Sequence, residues 1–333
     1  MSPTTAPESP VNAAASALPL TVLFSFLSRA DATPLDRRSR ASGHILDKSG
    51  RVVLDPAAAP KDNAFEPDPN LNFEMWGEYW RKVHGVRFLH PETAQDQETI
   101  NRLLRYDQIH RLAAGPTSNR PLPYMPPLDA AGALFDTVIG HIEPYRRPNW
   151  DGVAYLNFAS LDDLATMLGT DRVRRKILPE DQTIFRDLAP VLARQFILIP
   201  NSVGDDAFIL VKTHVRRGEL NRETFQRLWL SDHARLVMAQ PESRPVKRYV
   251  ELHNIGPETE GQPFYHPATS GIDGITMMAF ASMRELETFL LSEDCKAIEM
   301  AETTIANTNA GEYWTGAAFT VVDQLGPERA TVF

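Results

Sequence analysis

The sequence predicts an α+β fold in which one βαββαβ unit occurs twice along a single chain of 333 residues, the two copies packed sheet to sheet. Three observations predict it. The chain repeats itself in ordered blocks. Leu71-Asn72, Trp76, Trp80 and His84 return 149 positions later as Leu220-Asn221, Phe225, Trp229 and His233. RYDQIH at 105–110 returns as RYVELH at 248–253, and Asp151-Gly152-Val153 with Phe158-Ala159-Ser160-Leu161 returns as Asp273-Gly274-Ile275 with Phe280-Ala281-Ser282-Met283. Unequal shifts between blocks are what loop insertions in one copy produce. Within each copy, period-two apolar alternation and helical spacing succeed one another in the same order. Finally, a sheet with helices on one face needs its other face covered, and the second copy is the natural cover.

Residues 1–18, dense in Ala, Pro, Ser and Thr, read as a disordered tail. The N-terminal unit, residues 19–203, opens with a strand at 20–27 and continues, after an insert at 29–70, with a helix at 71–84. On that helix Trp76 and Trp80 are spaced for the packed face, and His84 falls at the C-terminal end, where a helix attracts a cation. Strands follow at 103–110 and, beyond a Pro-rich insert at 111–150, at 153–158; helices at 161–168 and 180–193 and a strand near 195–200 close the unit. Inserts of this length are usually lids or disordered segments. The C-terminal unit, residues 204–326, repeats the order: strand 207–215, helix 220–234 ending on His233, strands 246–253 and 275–280, helix 283–306 and strand 314–322. Each unit is a split βαβ of ferredoxin-like type.

Composition narrows the function. Hydrophobic residues at 43% and charged residues at 23% are those of a globular chain. A net charge of −9 with no basic run argues against a nucleic-acid partner. The single cysteine, Cys295, allows no intrachain disulfide and suits a reducing compartment. No apolar run approaches the roughly 20 residues that span a bilayer, so no membrane partner is expected. Residues 17–27, ALPLTVLFSFL, imitate a signal peptide, but residues 1–28 contain no Lys or Arg, and a cytoplasmic location is expected. Nucleotide-binding glycine loops, Walker motifs, the Gly-x-Ser-x-Gly elbow and His-Glu-x-x-His are absent, which removes phosphoryl transfer and serine hydrolysis.

FEMWGEYWRKVHG at 73–85 and RYDQIH at 105–110, with LWLSDH at 228–233 and RYVELH at 248–253, resemble the pattern of the EthD-domain family. The resemblance covers most of 20–325 outside the tail and inserts. It implies a dimeric α+β barrel, in which two ferredoxin-like units put their open sheet faces together around a cavity. Here both units would share one chain as an intrachain dimeric α+β barrel, either a monomeric pseudo-dimer or a homodimer of such chains. Relatives include cofactor-free isomerases, cyclases, dehydratases and decarboxylases of aromatic or polyketide-like molecules, as well as haem enzymes. The chain departs from the pattern at Ile109 and Leu252, where Asn commonly precedes the histidine, so no role of that Asn transfers.

Strand alternation assigns side chains to faces independently of the family. Ile209, Val211, Thr213 and Val215 form the apolar face of 208–215 and are expected under the helices, which sends Lys212 and His214 into the space between the sheets. By the same rule Val250 and Leu252 face the helices, while Tyr249, Glu251 and His253 face the cavity, with Tyr106, Gln108 and His110 as first-copy counterparts. Phe158 and Phe280 go to the helix side and leave Tyr155, Asn157 and Met277 on the cavity side. Where the second copy has Lys212, His214 and Glu251, the first has Ser25, Leu27 and Gln108, so titratable chemistry concentrates in the C-terminal half.

The leading expectation is a cofactor-independent lyase, dehydratase, decarboxylase or isomerase acting on a hydrophobic small-molecule substrate, aromatic or polyketide-like. His253 or His214 serves as general acid or base, Lys212 stabilises developing negative charge, Glu251 supports His253, and Tyr249 or Tyr106 positions the substrate. Gln108, His110, Tyr155, Asn157 and Met277 complete the substrate-binding set. A non-catalytic binder or carrier of an apolar molecule is the alternative, as is a satisfied polar network that only holds the barrel together. His214, Glu251 and His253 as a metal site is a third reading, weakened by strand order, which sets the two histidine backbones roughly 10 Å apart. No cofactor or metal is expected, and haem has no sequence-specific support.

Overall fold

The computed structural model describes residues 19–29, 44–46, 52–54, 73–112, 150–201, 208–239 and 245–331. The 1–18 tail, nearly all of the 111–150 insert, and the 29–70 insert apart from its first residue and two short strands lie outside them. The strands are β1 (Thr21–Arg29), β2 (His44–Leu46), β3 (Val52–Leu54), β4 (Leu103–Arg111), β5 (Gly152–Phe158), β6 (Phe185–Ile199), β7 (Phe208–His214), β8 (Arg248–Asn254), β9 (Gly274–Phe280) and β10 (Tyr313–Asp323). β2 and β3 pair as a separate hairpin, and the other eight close into a barrel ordered β1-β5-β4-β10-β7-β9-β8-β6.

The first half runs β6-β1-β5-β4 and the second β10-β7-β9-β8, the same order with all pairs antiparallel. The halves meet edge to edge, β4 on β10 and β6 on β8, so each sheet's free edges are spent on the other and no open edge remains in the barrel. The fold is thus the α+β barrel expected, closed through strand edges.

Closure decides which face is dry. Val22, Phe24, Phe26, Val153, Tyr155, Val191, Ile209, Val211, Val250, Leu252, Ile275 and Met277 form one buried cluster inside the barrel. Leu23, Tyr106, Leu156 and Phe158 pack outward in the first half, and Leu210, Tyr249, Met278 and Phe280 do so in the second, beneath the helices.

The helices are α1 (Phe73–Tyr79), α2 (Ala94–Asn101), α3 (Leu161–Leu168), α4 (Leu178–Ile184), α5 (Arg222–Leu228), α6 (Ala234–Met238), α7 (Met283–Leu291) and α8 (Glu293–Glu302). α1 runs into a π-helical turn at Trp80–His84, and α5 into one at Trp229–His233. The repeated Phe-Ala-Ser block supplies caps: Ser160 accepts from Asp163 N to start α3, and Ser282 from Glu285 N to start α7. The repeated Asp-Gly block does two jobs. Asp151 accepts from Arg29 N at 2.8 Å and Asp273 from Arg216 N at 2.7 Å, tying down the ends of β1 and β7. Gly152 leaves room for the Trp80 ring, which a Cβ would meet at 2.7 Å, and Gly274 does the same for Trp229.

Three elements differ from expectation. The helix read at 180–193 ends at Ile184, and β6 begins at Phe185. Ala189, Val191 and Ala193 alternate into the barrel while Leu192 packs outward. Pro190 pairs with Ser25 on a stretch where β6 has no second strand beside it, since β8 joins only at Ala193, so its missing N–H costs no ladder bond. The helix read at 283–306 is two, because Ser292 is extended and caps α8 through Cys295 N. α2, capped by Thr93, was not anticipated. Among the described residues no helix is long and apolar enough to cross a membrane.

Candidate functional site

The structure reverses the facing expected of most candidate residues. Tyr155 and Met277 point into the barrel as read, and Asn157 shares their face, fully buried, with neither amide atom paired among the described residues. Lys212, His214, Tyr249, Glu251, His253, Tyr106, Gln108 and His110 instead lie on the outer face, between sheet and helices. The physical reason is that strands buried on both faces carry apolar residues on both, so apolar alternation does not tell inside from outside. The closed interior offers charges few partners, whereas the helices supply carboxylates and imidazoles.

In the second half these residues are satisfied by one another and by Glu302 and Thr276. Lys212 Nζ pairs with Glu302 of α8, whose other oxygen is 3.2 Å from His233 Nε2. The Tyr249 hydroxyl donates to Glu251 at 2.5 Å, and Glu251 meets His253 Nε2 at 3.0 Å. His214 Nε2 meets Thr276 Oγ1 at 2.8 Å. His253 stacks on Trp229 at 5.0 Å, and His214 contacts the same indole. Burial opposes the charge on Lys212, but Glu302 outweighs it and raises the ammonium pKa; the same pairing lowers Glu302 against its own burial. Burial lowers the His214 pKa to about 3. His233 therefore ends at a carboxylate as well as at a helix terminus.

The first half is built on the same plan and left open. His110 stacks on Trp80 at 4.4 Å, as His253 does on Trp229, and burial lowers its pKa to about 3. Gln108, where the second half has Glu251, donates to the Tyr106 hydroxyl at 3.0 Å and to Trp80 O at 2.9 Å. Trp80 Nε1 also points at that hydroxyl, 3.2 Å away. Ser25 occupies the place of Lys212, and without the long cation a cavity of about 110 Å³ remains between sheet and helices. Its walls are apolar, including Leu23, Leu27, Phe88, Leu156, Ile177 and Phe185. Its polar groups are Ser25, Tyr106, His84 and Asp181.

His84 and Asp181 make the site electrostatically distinctive. The π turn carries His84 under α4, where its Nδ1 lies 2.9 Å from Glu180 Oε2 and its Nε2 3.5 Å from Asp181 Oδ1. Glu180 is gripped further by Arg87, at 2.5 and 2.9 Å, and by the Tyr79 hydroxyl. Burial pushes the Glu180 pKa up, but hydrogen bonds from His84 and Arg87 outweigh it and hold the carboxyl down at about 2. Asp181 has no such support: among the described residues its Oδ1 accepts no hydrogen bond, and burial, against the pull of His84, raises its pKa to about 7. Two adjacent carboxyls are thus split, one fixed as an anion that orients His84 and one able to exchange a proton near neutrality. Sequence reasoning missed both, having placed them at the start of a helix that runs on to 193. The usable signal was His84, a repeated histidine at a packed position that needs a partner.

Residues 217–308 match the family model of the EthD domain. No curated protein matches the chain. Among solved structures, an anthrone oxidase-like protein is similar at 10% identity with a TM-score of 0.49, over 96% of this chain and 98% of its own. A candidate monooxygenase from Lactobacillus acidophilus NCFM is similar at 9% identity with a TM-score of 0.43, over 92% of this chain and 97% of its own.

Proposed function

With an EthD domain at residues 217–308 as the premise, we propose that the chain is a small-molecule enzyme that moves a proton in the first-half cavity without a cofactor. The observation that carries this reading is Asp181, a carboxyl with a pKa near 7 lining an apolar cavity and set against a buried imidazole. Asp181 is the acid–base group. His84, held by Glu180, stabilises whichever charge develops beside it. The Tyr106 hydroxyl, which accepts from Gln108 and Trp80, keeps its own proton to donate to a substrate oxygen. Such a set suits an aromatic carbon acid that passes through an enolate, the step shared by isomerisation, dehydration and decarboxylation of aromatic or polyketide-like molecules.

In this reading Lys212, His214, Glu251 and His253 are the framework of the second half, as the pairing of Lys212 with Glu302, His214 with Thr276 and Glu251 with His253 supports. The first half belongs to the same family by duplication, which its identical strand order supports. The test follows C–H exchange of benzoylacetone in deuterium oxide by NMR. Acceleration that falls by about two to four orders of magnitude in Asp181→Asn is expected. Binding with no acceleration would make the chain a carrier instead.

A further inference from the structure

Among the described residues, the second half contributes one residue, Phe264, to the lining of the first-half cavity. The connection between β8 and β9, residues 255–273, crosses onto β6: Ile255 N donates to Leu192 O at 2.8 Å, Thr269 Oγ1 to Pro190 O at 2.7 Å, and His266 Nε2 lies 3.3 Å from Asp187. Arg222 holds both ends of the loop, donating to Gly256 O at 2.7 Å and Ser270 O at 3.0 Å. Between these anchors Phe264 turns its ring onto the first-half cluster and lines the cavity while remaining half exposed.

Its backbone is unusual. Phe264 has φ +64°, the left-handed region, and is the one non-glycine with positive φ among the described residues. An L side chain rarely adopts that conformation unless its surroundings impose it, and such residues concentrate at ligand clamps and switches. Here the conformation aims an aromatic ring at a site to which, among the described residues, no other residue of its own half contributes.

We infer that Phe264 is the gate of the cavity, admitting small molecules toward Ser25 and Asp181 and holding back ring-sized ones until it swings aside. The inference rests on reading this cavity as the substrate site. It gives the second half a part in a site whose polar groups all lie in the first, since the cavity is incomplete without the loop that crosses over.

The test needs no substrate and therefore fails or stands apart from proton transfer at Asp181. In a Cys295→Ala background, Ser25→Cys places a thiol on the cavity wall, and its reaction is timed with methyl methanethiosulfonate and with the ring-bearing N-phenylmaleimide. Phe264→Gly keeps a residue at ease with positive φ, and thermal melting checks that it folds. The expected result is that Phe264→Gly speeds the maleimide about tenfold or more while changing the small reagent much less, and that Phe264→Tyr restores the slow rate. Equal maleimide rates with and without the ring, fast or slow, would overturn the gate.

Discussion

At the scale of single residues, burial sets Asp181 and Glu180 on opposite courses. The folded pKa of Asp181, about 7, lies above its usual 3.8. Between those values the folded chain keeps a proton that the unfolded chain has lost. The contribution of this group to stability is therefore full below about pH 3.8 and is lost as pH rises through about 7. Asp181→Asn removes that loss, so its melting temperature should exceed the wild type's by a few degrees at pH 8 but not at pH 4, as scanning calorimetry would register. Glu180 has the opposite sign: held at about 2 against a usual 4.5, it contributes above 4.5 and fails as pH falls toward 2. Neither course is legible in the sequence, because nothing in Leu178-Pro179-Glu180-Asp181 says which carboxyl the chain will meet with an arginine.

At the scale of elements, the repeated blocks are packing devices whose purpose is visible only in three dimensions. Trp80 lies over Gly152 and Trp229 over Gly274, so a methyl group at either glycine forces the indole aside. Gly274→Ala and Gly152→Ala should each cost about 1–3 kcal/mol in urea denaturation. Gly271→Ala, where a Cβ would meet nothing within 4 Å, should stay within about 0.5 kcal/mol. All eight barrel strands were legible from alternation and repeats, although β6 was cut short because Leu188 and Leu192 imitate a helical face. Facing was read correctly on β5 and β9 and reversed on β4, β7 and β8. On β1, Val22, Phe24 and Phe26 point inward and Leu23 and Leu27 outward, and both sets are buried. Parity without a solvent side leaves two answers, and the apolar set belongs to the barrel interior.

At the scale of the whole molecule, one plan has been finished in two ways. In the second half Lys212 fills the space beneath the helices and is neutralised by Glu302; in the first, Ser25 leaves it vacant and the carboxyl partners of His84 are doubled to Glu180 and Asp181. Lys212→Met strands Glu302 as a buried charge and should cost about 3 kcal/mol, read from the denaturation midpoint. The asymmetry between halves was legible in the sequence, but the cavity lined by Asp181 lies in the half without the buried cation, not beside Lys212. The most direct measurement is a set of pH–rate profiles for benzoylacetone C–H exchange by the wild type, Asp181→Asn and His253→Ala. The first-half site predicts a wild-type inflection near pH 7 that disappears in Asp181→Asn together with about two to four orders of magnitude in rate, while His253→Ala keeps the inflection and stays within about tenfold. An unaltered profile in Asp181→Asn beside a collapsed one in His253→Ala would return the chemistry to the C-terminal half and contradict this account.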